Sequence, residues 1–283
     1  MRKATLPDFL VIGAEKAGSS WLWRNLSAHP EIFMPLTKEI HFFNKTRNWE
    51  RGPSWYARFF ADAPPGTVRG EATPGYLYSE EAPSRIRELL PNAKLIVSLR
   101  DPVERAFSAY RMAISKLHIP PCPFETALDR YPFLIRNSLY SEALARYFQF
   151  FPRENMRILL FHEMMAHRPK TLAELYRFLG VQDCFEPPGL ERRHAPSRDT
   201  RSSALNAAIL GIAAFLRQIG IGGLVRIAKR AGIRALVFRL NSKVVRKYEG
   251  PPPAVERELR ASLLWDIEAT ENLVGRSLQC WKR

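Results

Sequence analysis

Lys16, Ser19 and Ser20 fall within five residues of one another in the stretch GAEKAGSS (13–20), and their side chains suit the holding of a phosphate-like anion. The lysine brings one positive charge and the serines two hydroxyls. The residues on either side supply the frame. Phe9, Leu10, Val11 and Ile12 form a short apolar run that reads as a buried strand and breaks at Gly13. After Gly18, the residues Trp21, Leu22, Asn25 and Leu26 have helical spacing. A strand feeding a glycine turn and a helix offers an anion the unpartnered N–H groups of the first helical turn and the positive end of the dipole. The bland alternative is a plain strand–turn–helix with no ligand.

The loop departs from a nucleotide P-loop. Gly13 and Gly18 have the spacing of GxxxxGK[ST], yet Ser19 stands where the lysine belongs and the lysine lies inside the loop. The strand at 94–99 ends in Arg100 rather than in an aspartate able to hold magnesium. A magnesium–ATP site therefore fits poorly.

The elements that must position these groups alternate along the chain. Residues 29–44 read as an ordered loop, with Pro30 and Pro35 bracketing a short apolar piece, and 55–60 as a short helix. TVRGEA (67–72) reads as a strand ended by Thr73-Pro74-Gly75, and 84–90 as a helix. KLIVSL (94–99) is a clear strand. Asp101, Pro102 and Glu104 then give an N-cap, a first-turn proline and a capping-box acid for the following helix. Further helices are predicted at 139–151 and 171–179, the latter stopped at Gly180, with a strand at 156–161 between them. Such alternation predicts an α/β fold with a parallel sheet covered on both faces.

Composition narrows the class. The chain has 283 residues, 46% of them apolar, enough for a substantial core. Three cysteines (Cys122, Cys184, Cys280) without a CxxC pair argue against a disulfide framework or a zinc site. The first residues are basic but lead into a continuous apolar run of only four residues before the glycine turn, too short for a signal peptide, and no run has the roughly 18 apolar residues of a membrane span. A cytoplasmic protein is the expectation. The net charge of +15 is concentrated: residues 192–247 hold ten arginines and three lysines against one aspartate, leaving +3 for the rest. This region reads either as a solvated face or as a surface for an anionic partner. Cationic helical stripes at 204–247 also suit peripheral contact with a membrane, whereas no recognised nucleic-acid motif is present. Gly250 to Pro253 is a linker, and 254–278 a final helix.

PDFLVIGAEKAGSSWLWRNLSAHPEI followed by TKEIHFFN resembles the sulfotransferases that use 3′-phosphoadenosine 5′-phosphosulfate (PAPS), most of all the heparan sulfate N- and 3-O-sulfotransferase branch and its bacterial relatives. GEATPGYLY (70–78), LIVSLRDPVERAFSAY (95–110) and SLYSEALARYFQFF (138–151) agree in order and spacing, so the resemblance covers about residues 7–180, with a looser match near Trp281. It implies a P-loop-like central parallel sheet flanked by helices, with a helical C-terminal extension. The expected organisation is one domain: an α/β core at 7–180, a basic helical cap at 190–250 and a C-terminal helix at 254–283 on the core.

The resemblance also implies roles. Lys16, Ala17, Gly18, Ser19 and Ser20 would hold the 5′-phosphosulfate, with Lys16 stabilising the leaving phosphate oxygen. Arg100 and Ser108 would bind the 3′-phosphate, where the guanidinium fork matches phosphate oxygens. The ordinary alternative for Arg100 is an ion pair with Asp101 or Glu104. Glu39 matches the family's general base and His41 a neighbouring group that orients the acceptor or shares the proton. Arg193 and His194 fall where the family has a basic loop closing over the nucleotide. Ala72 is a departure: the glycan 3-O-sulfotransferases often carry a lysine there, and Glu71 beside it has no assigned role. The expected reaction is metal-independent transfer of a sulfuryl group from PAPS, leaving adenosine 3′,5′-bisphosphate (PAP), to a hydroxyl or amine. Carbohydrates, an acidic glycan or a glycolipid are the acceptors considered. A kinase-like nucleotide enzyme and a basic membrane-binding module are the competing readings.

Overall fold

The computed structural model describes residues 6–188, 190, 198–200, 242–244 and 250–283. The chain divides into two compact units. The first, residues 1–105, 137–195 and 260–283, holds a five-stranded sheet. Its strands are β1 (Phe9–Gly13), β2 (Ile32–Phe33), β3 (Val68–Ala72), β4 (Lys94–Leu99) and β5 (Met156–Leu160), in the order β2-β3-β1-β4-β5. Every pairing is parallel.

The parallel arrangement follows from the apolar runs. All five residues of β1 are buried, and so are Leu95 to Leu99 of β4, as expected of strands covered on both faces. On one face, α1 (Ser19–Ser27) buries Trp21, Leu22 and Leu26, while a helix at Arg168–Leu179 buries Leu172, Leu175 and Tyr176. These side chains share one core cluster with Phe9, Val11, Ile96 and Leu159. The second of these helices ends at Gly180, whose φ of 82° is the left-handed conformation predicted for a C-terminal glycine.

Strand order places the C-terminal ends of β3, β1 and β4 side by side. The chain leaves β1 for one edge of the sheet and returns to the other side at β4, so the order reverses beside β1. Ligands of open α/β sheets bind at such a point. The strand β2, inside the region predicted as a loop, pairs Ile32 with Val68 and Phe33 with Arg69. Two residues are too short to carry a period, so the sequence does not announce it.

The C-terminal helix runs Pro253–Val274, starting on the last predicted linker proline and ending earlier than predicted. Asp266 in it is buried and accepts from the backbone N–H of Tyr140 and of Ser141 (2.9 and 3.0 Å) and from the Ser141 hydroxyl (2.5 Å). It thereby satisfies the orphan amides at the start of the helix Ser141–Phe148.

The second unit comprises residues 106–136 and 196–259. Its described core gathers Ala109, Ala113, Ile114, Ile119, Ala127 and Leu134. It also contains an antiparallel pair, Arg198–Thr200 with Ser242–Val244. The helical stripes predicted within 204–247 and the rest of the basic cap lie outside the described residues. Among the described residues, no helix is long and apolar enough to cross a membrane.

Candidate functional site

Close packing against the chain's own side chains shapes the turn after β1. Gly18 has φ 92° and precedes α1; a Cβ there would lie 2.4 Å from Met164 Cε and 3.1 Å from the Phe161 ring. The left-handed conformation favours glycine there, and any side chain would also have to displace the Met164 methyl. Gly13 is constrained by approach alone, since a Cβ would meet the Leu77 side chain at 2.6 Å. The strand behind fixes the loop: the Ala14 amide donates to the Ser98 carbonyl (2.8 Å), and the Ser98 hydroxyl donates to the Ala17 carbonyl (2.6 Å). Ala17 and Ser19 are buried, while Lys16 and Ser20 are half-buried. The loop is thus held in place from the sheet side, with the N-terminus of a nine-residue helix at its end.

Glu39 and His41 lie on a second loop, fastened to the end of β3. Four successive amides are anchored there. That of Glu39 donates to the Ala72 carbonyl (3.1 Å), and that of Ile40 to the Glu71 carboxylate. That of His41 reaches the Thr73 hydroxyl (3.5 Å), and that of Phe42 the Tyr76 hydroxyl (3.0 Å). The Asn48 side chain donates to the carbonyls of Ile40 and His41, each at 3.1 Å. These anchors hold a contorted backbone: φ is 62° at Glu39 and 56° at His41. Four described non-glycine residues have positive φ, and three of them are Lys16, Glu39 and His41. Strain of this kind, of order 1–3 kcal/mol per residue, collects at functional sites when surrounding bonds overdetermine it.

Glu71 is the centre of that anchorage. It is 1% exposed and accepts from the Tyr56 hydroxyl (2.7 Å), the Tyr76 hydroxyl (2.6 Å) and the Thr73 hydroxyl (2.8 Å), in addition to the Ile40 amide. Burial pushes its carboxyl above the usual range, and the four donors restrain the rise. Burial and the neighbouring Glu71 charge push both tyrosines well up, which keeps them as neutral donors. Sequence reasoning missed this role. The signal was present as a carboxylate between Gly70 and Ala72 at the buried end of a strand, a placement that demands partners.

The side chains of the second loop converge. Glu39 is partly exposed, with Oε1 at 3.0 Å from Lys38 Nζ and Oε2 at 3.9 Å from His41 Nε2. His41 Nδ1 lies 3.2 Å from Asn44 Oδ1, so the neutral ring donates from Nδ1 and keeps the Nε2 lone pair on the Glu39 side. Burial, and then the nearby Lys45 charge, lower its pKa and favour that neutral form. Lys38 Nζ also donates to Ser20 Oγ at 3.2 Å, which ties this loop to the first turn of α1.

Arg100 leaves the end of β4 toward the first loop. Its Nη1 lies 3.4 Å from the Lys16 carbonyl, and its guanidinium lies 5.0 Å from the Phe161 ring centroid. It also pairs with Glu104 at 2.8 Å, so the ordinary ion-pair alternative is realised. The backbone beneath is locked. Asp101 Oδ1 caps the helix Pro102–Ser115 through the amides of Val103 and Glu104 (2.9 and 3.0 Å), as the sequence predicts, and Oδ2 takes Arg260 at 2.7 Å. Ser108 is buried on the second turn of that helix. Arg193 and His194 lie outside the described residues.

In chemical terms, one loop offers amides, hydroxyls and a lysine for an anion, and a facing loop offers a carboxylate and a neutral imidazole. Residues 6–203 match the model of the Sulfotransferase domain family. Over 185 residues the chain is 31% identical to the human heparan sulfate glucosamine 3-O-sulfotransferase 6, a match covering 62% of this chain and 53% of that protein. Over 191 residues it is 30% identical to the mouse 3-O-sulfotransferase 5, covering 62% and 54%. The chain spans about half the length of these curated relatives. The crystal structure of a sulfotransferase from Alicyclobacillus acidocaldarius superposes with a TM-score of 0.71 at 24% identity, covering 98% of this chain and 99% of that one, and so shares its fold. With the anion loop, the β4 arginine and the anchored Glu39 loop all inside the matched span, the chain belongs to the sulfotransferase domain family.

Proposed function

We propose that the protein transfers a sulfuryl group from PAPS to a hydroxyl or amine, with the first loop holding the donor and Glu39 acting as general base. The observation that carries this reading is the single Lys38 side chain reaching both Ser20 of the donor loop and Glu39 of the facing loop. A base for the acceptor must sit beside the donor, and this contact sets the two loops together. The donor supplies a sulfur bonded to a phosphate oxygen that can leave. The acceptor oxygen or nitrogen forms a bond to that sulfur, the bond from sulfur to the phosphate oxygen breaks, and Glu39 takes the acceptor's proton. The products are the sulfated acceptor and PAP.

The loop fits such a group. The α1 N-terminus favours negative charge. Lys16 balances charge that builds on the phosphate oxygen as the bond breaks, the electrostatic help expected where charge develops. Arg100 receives the 3′-phosphate, which separates PAPS from ordinary adenylates. The Glu104 partner then competes with that phosphate for the guanidinium and keeps Arg100 oriented in its absence. His41 Nε2 shares the acceptor's proton with Glu39. For acceptor class, the names of the human and mouse relatives point to a glucosamine-containing glycan, which the alanine at 72 does not itself favour.

The test is a calorimetric titration. In buffer containing EDTA, the protein should bind PAP and show no comparable binding of ATP with magnesium in a metal-containing control. Arg100→Ala should weaken PAP binding by about 10–100-fold, the scale of a charge-assisted bidentate contact. Absence of PAP binding by the unmodified protein would overturn the donor assignment, and an unchanged Arg100→Ala affinity would remove Arg100 from it.

A further inference from the structure

We infer that Lys38 is a further catalytic residue, whose ammonium binds the transferring sulfuryl group between the donor loop and the base; this rests on the proposed donor site. Lys38 was not among the residues assigned from the sequence. Its Nζ lies 3.2 Å from Ser20 Oγ and 3.0 Å from Glu39 Oε1, and its side chain is 20% exposed. Those two oxygens belong to opposite halves of the reaction, one at the head of the helix that faces the donor and the other on the group that takes the acceptor's proton. An ammonium has three donors. Two of them account for these contacts, and the third serves an oxygen of a group placed between the loops.

The position also suits the charge that moves. A sulfuryl group in flight carries negative charge on its peripheral oxygens while its bond to phosphate lengthens and its bond to the acceptor forms. Lys16 sits on the donor loop, where it serves the leaving oxygen. A second cation at the Ser20–Glu39 junction serves the oxygens of the group in transit. No covalent bond to Lys38 is made or broken, and its protons stay on nitrogen throughout. The backbone favours a fixed position, because Lys38 immediately precedes Glu39, whose amide is tied to Ala72 and whose φ is 62°. Ammonium groups on long side chains carry high rotamer entropy, so anchorage at both ends of its reach gives the charge a defined place.

A merely structural Lys38 would act through Ser20 and Glu39 and would not distinguish PAPS from PAP. The discriminating measurement is therefore the affinity for PAPS and, separately, for PAP, by calorimetry without acceptor, in Lys38→Met and Lys38→Arg. Lys38→Met should weaken PAPS about tenfold and leave PAP within about twofold, because only PAPS carries the sulfuryl group. Turnover should fall by a further factor, to about 10²–10³-fold below wild type, as expected for loss of a group aimed at developing charge. Lys38→Arg should restore most of the PAPS preference. Equal weakening of PAPS and PAP, or no weakening of either, would overturn the assignment of Lys38. If the unmodified protein binds neither nucleotide, the donor site itself is wrong, and that outcome is distinct from a failure at Lys38.

Discussion

Glu39→Gln should lower kcat by on the order of 10³-fold, within the 10²–10⁴ range that a positioned general base contributes. The substitution keeps size and shape and removes only the capacity to accept a proton. Its side-chain oxygen still faces the Lys38 ammonium, which lies at 3.0 Å in the native chain. The backbone of the loop is held by amides of residues 39–42 and by Asn48, none of which involves the Glu39 side chain. PAP affinity should accordingly remain within about twofold of wild type, because the donor contacts lie on the other loop. Single-turnover measurements with saturating donor separate chemistry from binding. Normal turnover by this variant would move the base elsewhere, with His41 the next candidate because its Nε2 lies 3.9 Å from Glu39. Loss of PAP binding would instead show that the side chain helps shape the donor site.

The parts of this fold that were legible in the sequence are those where one physical requirement dominates locally. Strands β1 and β4 are nearly unbroken apolar runs because both faces of a parallel sheet are covered. The Asp101 cap and the Gly180 stop are local chemistry at helix ends, and both appear as predicted. The donor-loop glycine was readable for the same reason: a left-handed turn ahead of a helix favours glycine. The second loop was not readable in this way. Glu39 and His41 adopt positive φ without being glycine, so nothing in their types announces the conformation. What imposes it is long-range. Glu71, Thr73 and Tyr76 follow one another at the end of β3, but Tyr56 and the 39–42 loop they hold come from earlier segments and meet them only in the folded chain. A family resemblance selected Glu39 and His41, but only three-dimensional proximity shows Lys38 beside Ser20 and gives Glu71 a purpose.

That purpose sets the second large effect. Glu71→Ala removes the acceptor shared by Tyr56, Tyr76, Thr73 and the Ile40 amide in a fully buried place. Each buried donor left without a partner costs about 1–3 kcal/mol, so the expected loss of stability is about 3 kcal/mol or more even after water enters the space. Glu71→Gln preserves the volume and one acceptor oxygen, and should be milder in stability. Its amide group nevertheless points hydrogens at hydroxyls that now donate, so the Tyr76 and Thr73 hydroxyls that hold the Phe42 and His41 amides must reorient. The positions of Glu39 and His41 then relax, and kcat should fall about tenfold or more with PAP affinity retained, which a general loss of stability would not produce. A pH series adds an independent sign. Because burial raises the Glu71 pKa above its unfolded value, the contribution of this group to stability is largest below the unfolded pKa near 4.5 and declines as pH rises through the folded value. The stability of wild type relative to Glu71→Gln should therefore improve as pH is lowered from neutrality toward that range, in denaturant unfolding at fixed ionic strength. A difference that moves the opposite way, or a Glu71→Gln enzyme with unchanged kcat, would mean that the carboxylate neither bears the cost of burial nor holds the catalytic loop.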